Sequence, residues 1–266
     1  MNPELQYLKC YNNQITSLDL SKNAKLTNIH CDENISVEFA KSVDDSNDSE
    51  TGEITIFFDG CSEDWPMLVK LEIGYDDSEG FTVDWGDDSP VENKKFNGGQ
   101  LELQNGLKVV TIEKEYDGSV ESAQITLSGC LKSLQWVGQS RSTLNNFDGI
   151  DTSNCPALTK LVVCGCDKRN NLSQLDLSNN SELKHLDCSW NRMQDLDLSN
   201  LEKLEWVAFG LNDDLDYACV LETLHENDLG STKCVEGSGF NLDDEDDEYT
   251  NELKEIVERK GWEWEW

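Results

Sequence analysis

The side chains able to do chemistry in this 266-residue chain are three histidines, ten cysteines and 54 carboxylates. A catalytic nucleophile needs a base beside it, and metal-assisted hydrolysis needs paired ligands at a fixed spacing. No Gly-x-Ser-x-Gly, no glycine-rich phosphate loop and no His-Glu-x-x-His occurs, and only His30, His185 and His225 offer imidazole. The carboxylates are too numerous for any pair to stand out. This pattern points away from an enzyme, and no cofactor is expected.

Cysteine usage points the same way. Cys164 and Cys166 flank a glycine at too short a spacing for a zinc pair, and no matching Cys or His pair follows. Cys10, Cys31 and Cys188 recur at one position of a periodic pattern, where Val163 and Phe209 stand in sister segments. A thiol that alternates with Val and Phe acts as a small hydrophobe, so these three are expected to be reduced core residues. Cys61, Cys130, Cys155, Cys219 and Cys234 form no disulfide framework, and free thiols favour the cytosol. In FTVDWGDDSPVE, the aspartates Asp84, Asp87 and Asp88 have two readings: oxygens for calcium, or the builders of a turn. The turn is the preferred reading, and no metal site is expected.

The elements that position these residues follow from a 21-residue period. Leu183, Leu186, Cys188 and Asn191 recur as Leu204, Val207, Phe209 and Asn212, and Leu5, Leu8, Cys10 and Asn13 as Leu26, Ile29, Cys31 and Asn34. Further starts fall at Leu131 and Leu158. A fixed period of this length marks a stacked array, each unit burying its apolar edge on the next. Each alternating pair predicts a short strand, and each Asn predicts an amide turned into the backbone at the bend. Side chains that alternate outward then line one open sheet face: Tyr7, Tyr11, His30, Asp32, His185, Asp187, Ser189, Trp190 and Trp206. Large aromatics beside acids are typical of protein contact surfaces. A neighbouring segment folded over them is the alternative reading.

The period stops after Asn34. An acidic stretch, Asp44 to Glu53, leads into alternating runs (EITIFF, LVKLEIGY, GFTVDW, LELQ, LKVVTIEKEY, AQITLSG) that predict a small β-sandwich. After Asn212, Val220, Leu221 and Leu224 stand at helical spacing. An acidic run, Asp243 to Glu248, precedes a helix expected to be capped by Thr250. In the closing WEWEW, Trp262, Trp264 and Trp266 share one face of a strand. The expected division is 1–35 repeats, 36–130 β-sandwich, 131–212 repeats and 213–266 an α/β cap.

The spacing L-x-x-L-x-(L/C)-x-x-N resembles that of leucine-rich repeats. The chain as a whole is similar to the leucine-rich repeat proteins of Bacteroides-type bacteria, at Leu186, Cys188 and Asn191 for the repeat and Lys260 to Trp262 for the cap. Asp84 to Asp87 resemble the D-W-G-D run of PKD-like (immunoglobulin-type) domains, with Asp88 where a glycine is usual. The resemblance implies a solenoid of short parallel strands with mostly irregular returns, an inserted β-sandwich and a terminal cap. It implies binding rather than chemistry, and export in many relatives.

Charge narrows the partner. With 54 acidic against 21 basic residues the net charge is −33, which repels nucleic acid and anionic membrane surfaces and suits a basic protein. No apolar run is long enough to span a membrane. Three roles compete: a cytosolic acidic inhibitor of the immunity type, an exported adhesin or glycan-associated protein whose signal lies upstream, and a structural fragment.

Overall fold

The computed structural model describes residues 2–33, 36–39, 50–59, 67–76, 80–96, 99–104, 107–116, 122–136, 147–165, 170–227, 232–236 and 248–265. The first coils supply β1 (Tyr7–Lys9), β2 (Ser17–Leu20), β3 (Asn28–Cys31) and β4 (Ser36–Phe39). The alternating runs form β5 (Gly52–Asp59), β6 (Met67–Tyr75), β7 (Phe81–Asp84), β8 (Glu92–Lys94), β9 (Gly99–Gln104), β10 (Leu107–Tyr116) and β11 (Ser122–Gly129). Then come β12 (Leu131–Trp136), β13 (Phe147–Asn154), β14 (Lys160–Val162), β15 (His185–Asp187) and β16 (Trp206–Ala208). The C-terminal part holds α1 (Tyr217–Thr223), β17 (Cys234–Glu236), α2 (Glu248–Arg259) and β18 (Glu263–Glu265).

One 11-stranded sheet runs through both repeat blocks, in the order β1-β3-β9-β10-β6-β12-β14-β15-β16-β17-β18. The repeat strands pair in parallel and in register, Leu8 beside Ile29 and Leu161 beside Leu186 beside Val207. Between them β9, β10 and β6 pair antiparallel with each other and with the flanking strands. A second sheet, β13-β5-β11-β7-β8, packs its apolar face on the first. Ile54, Ile56 and Leu127 meet Val69, Leu71 and Ile73 in one core, all fully buried because period-two alternation puts each strand's apolar set on a single face. That core continues through Leu158, Leu183, Leu186 and Phe209 to Val257 and Trp262. The first coils have a smaller core of their own around Leu26, Ile29 and Leu101, and Val110 packs against both cores.

Asparagine closes four of the described coils. The amide of Asn191 donates to the carbonyls of Val163, Cys188 and Ser189 at 3.0, 2.9 and 3.0 Å. Asn212 does the same for Phe209 and Cys188, and Asn13 for Cys10. Asn170 joins them by donating to Val163, so the extra residues before it leave the stack intact. The residue preceding Asn13, Asn191 and Asn212 takes a left-handed φ (Asn12 60°, Trp190 56°, Leu211 58°), the bend that aims the amide inward. Returns carry a second recurring device. Asp19, Asp151, Asp176 and Asp197 each accept the backbone N–H of the serine two residues on. The serine hydroxyls and N–H groups hold Asp19, Asp151 and Asp197 below the usual carboxylate range.

Some expectations change. The second helix begins at Glu248, so Thr250 lies inside it, buried at 4% exposure, rather than capping it. The first helix ends at Thr223 and takes its cap from Asp216, whose carboxylate accepts the N–H of Cys219. β13, in a stretch where repeats are expected, pairs with β5 in the second sheet. Asn34, most of the Asp44–Glu53 loop, Cys61, Cys166, Asp243 to Asp247 and Trp266 lie outside the described residues.

Candidate binding face

Outward side chains of the long sheet form two rows, set by strand register. At the C-terminal end one row reads Lys160, His185, Trp206, Cys234, Glu263. The other carries Val162, Asp187 and Ala208, then Glu236 and Glu265. At the N-terminal end Tyr7 lies beside Asn28 and Lys9 beside His30.

The anticipated residues fall into two clusters and a set of turn builders. In the first cluster the rings of Tyr11 and His30 lie 4.5 Å apart, and the Lys9 ammonium sits 5.8 Å from the ring centres of both Tyr7 and Tyr11. Tyr7 and Tyr11 are exposed, whereas His185 and Trp206 are half-buried and Val162 and Ala208 buried. In the second, His185 and Trp206 stack at 4.2 Å with ring planes 5° apart, and the indole N–H of Trp206 donates to Glu265 at 2.6 Å. From β3 to β15 is six strand spacings, so the clusters stand roughly 29 Å apart at ~4.8 Å per strand.

Asp32, Asp187 and Ser189 belong to the bends. Asp32 accepts the N–H groups of Asn12 and Asn13, and Asp187 accepts both the N–H and the hydroxyl of Ser189, which is buried. Trp190 follows the strand, at a left-handed bend rather than in the row that alternation predicts, and keeps its ring exposed. Glu236, Glu263 and Glu265 complete the second cluster and were not singled out by periodicity. For Glu263 and Glu265 the signal present was the alternation in WEWEW, which sets them opposite the tryptophans.

Electrostatics separate the two ends. Burial, and then the Lys160 charge, hold the His185 imidazole below its ordinary value, so it is neutral at neutral pH. Burial raises the Cys188 thiol well above its ordinary value, and raises Cys155 to about 12, as expected of packing residues. Cys10, Cys31 and Cys188 form no disulfide.

Asp87 pairs with Lys114 at 2.7 Å and accepts from Ser89, while Asp84 accepts the N–H of Gly86. These aspartates build the turn, and among the described residues no three His, Cys, Asp or Glu side chains converge on a metal position. Gly86 has φ 69°, and a Cβ there would meet the Gln124 carbonyl oxygen at 2.3 Å, so this bend requires glycine. On the return side a cleft is lined by Asp195, Asp197, Asp216, Cys219 and Thr223. The hydrogen bond to Asp216 pushes the Cys219 thiol up, away from nucleophilic use. No helix among the described residues is long and apolar enough to cross a membrane.

Register, asparagine bends and parallel stacking define a solenoid of short parallel strands. Among solved structures the chain is similar to the functional domain of InlJ from Listeria monocytogenes, described as including a cysteine ladder. Identity is 22% and the TM-score 0.23, over 38% of this chain and 25% of that one. No protein-family model matches the chain, and no curated protein matches it.

Proposed function

We propose that the chain is a non-enzymatic repeat protein that captures a basic protein, in the manner of a cytosolic immunity-type inhibitor. The observation that carries this reading is the open face of the long sheet, aromatic at both ends and acidic at one, on a chain of net charge −33. Such a field speeds the capture of a cationic partner and supplies little catalytic machinery. In the same reading, residues 36–130 are a PKD-like β-sandwich set into the array, with Trp85 fully buried and Tyr116 donating to its carbonyl at 2.6 Å. Residues 213–266 are the cap, in which Trp262 is buried and donates to the His225 carbonyl.

The test is to express the product of the neighbouring gene and titrate it calorimetrically at about 50 and 300 mM salt. A basic product bound tightly, and about tenfold or more weaker at the higher salt, supports the reading. Affinity indifferent to salt, or no binding, removes it. An exported glycan-associated role is the second reading, favoured by the Trp206–His185 platform. Retention on a neutral-glycan array would mark it.

A further inference from the structure

We propose that the C-terminal end of the open face is built to take an arginine side chain of a basic protein, laid against Trp206 among Glu236, Glu263 and Glu265. This rests on the protein-capture reading above and assigns its contact point.

Register supplies the first argument. Across β14 to β18 the outward positions hold Lys160, Val162, His185, Asp187, Trp206, Ala208, Cys234, Glu236, Glu263 and Glu265. Four are carboxylates and one is a cation. That cation, Lys160, lies at the far side of His185 and donates to Gln135 at 3.3 Å, away from the glutamates. The N-terminal end differs, because there Lys9 already occupies the space between the tyrosine rings.

Ring geometry supplies the second. His185 backs Trp206 in a parallel stack, and Glu265 holds the indole N–H, so the indole is fixed before any partner arrives. A fixed aromatic plane beside carboxylates matches a guanidinium, which stacks on indole and forks onto a carboxylate in one pose. An ammonium lacks the planar fork. Burial keeps the imidazole behind the indole uncharged at neutral pH, so it does not repel the incoming cation. Cys234, a small half-buried side chain, stands between Trp206 and Glu263 in the row. A neutral sugar ring would use the indole and gain nothing from the glutamates.

The probe is a nona-arginine peptide titrated into the full chain at about 150 mM salt, with nona-lysine and a neutral glucan hexasaccharide beside it. Trp206→Leu and Glu263→Gln should each weaken nona-arginine about tenfold, and nona-lysine should bind several-fold more weakly than nona-arginine. Glu263 is exposed, so its variant keeps the test decisive if Trp206→Leu unfolds. The double variant Asp176→Asn, Asp197→Asn removes two charges from the returns and should change affinity less than twofold. Equal weakening by the return-side variant, or no preference for arginine over lysine, overturns the proposal in favour of diffuse attraction to net charge. Hexasaccharide binding lost in Trp206→Leu, with nona-arginine not bound, overturns it in favour of a sugar. A basic protein that binds undiminished to Glu263→Gln and Trp206→Leu refutes this contact point and leaves the function standing. Nona-arginine binding at this site without any basic protein partner does the reverse.

Discussion

The first coil and the coil from Leu183 to Asn191 share one pattern and live in different surroundings. Leu183, Leu186, Cys188 and Asn191 are all fully buried, with a coil stacked on either side. Their counterparts Leu5, Leu8 and Cys10 are half-buried and Asn13 is exposed, because β1 is the edge of the sheet and its coil has a described neighbour on one side. Identical letters therefore contribute unequally. In a stacked array a residue's stabilising effect is set by how many coils it touches, and its own type comes second.

Truncating the central leucine tests this with the largest expected effect. Leu186→Ala should cost about 4 kcal/mol in denaturant unfolding, as a fully buried leucine leaves a cavity, and Leu8→Ala about 1 kcal/mol. Equal costs would mean that the edge coil is as enclosed as the central one. Next comes the amide. Asn191→Ala removes three buried hydrogen bonds, while Val163, Cys188 and Ser189 each keep a second donor, and should cost about 2–3 kcal/mol, whereas Asn13→Ala, at an exposed bend, should cost less than about 1 kcal/mol.

The cysteines sharpen the contrast kinetically. Cys10 should react with a maleimide in the folded protein. Cys188, raised by burial and sealed between coils, should wait for opening of the stack and react slower by roughly a thousandfold or more. Comparable rates would show that the central coil breathes as freely as the edge. The smallest expected effect is on pH. His185 titrates below its unfolded value, so the unfolded chain binds the extra proton more readily. Its contribution is complete above about pH 6.5 and declines as pH falls through the lower folded value. The fall in melting temperature between pH 7.5 and 5 should shrink in His185→Gln.

Most of the long strands were legible because alternation is unambiguous over seven or more residues, as in LVKLEIGY and LKVVTIEKEY. β13 was not. FDGIDTSN mixes Gly149 and Asp151 into the pattern, and its pairing with β5 depends on Phe147 entering a core assembled from distant strands. The start of α2 was hidden because an acidic run reads as solvated chain, and Thr250 looks like a cap when the residues before it carry no apolar signal. At the site, alternation is visible in burial, with His30, His185 and Trp206 half-buried beside the fully buried Ile29, Leu186 and Val207. It misplaced Trp190, since strand alternation ceases where the left-handed bend begins. It also passed over Glu263 and Glu265, because β17 and β18 join the sheet without the leucine spacing that announces a repeat.

The three antiparallel strands between β3 and β12 carry a consequence of parity. Passing from β3 through β9, β10 and β6 to β12 reverses direction at four pairings, an even number, so β3 and β12 point the same way. An odd number of inserted antiparallel strands is the only kind that a parallel array admits without inverting everything downstream. The array is thus a rail into which a module can be spliced, or from which it can be excised, with both flanks keeping their polarity. What splicing alters is gauge. Each such module lengthens the span between the tyrosine end and the tryptophan end by three strand widths, roughly 14 Å, without redrawing either cluster.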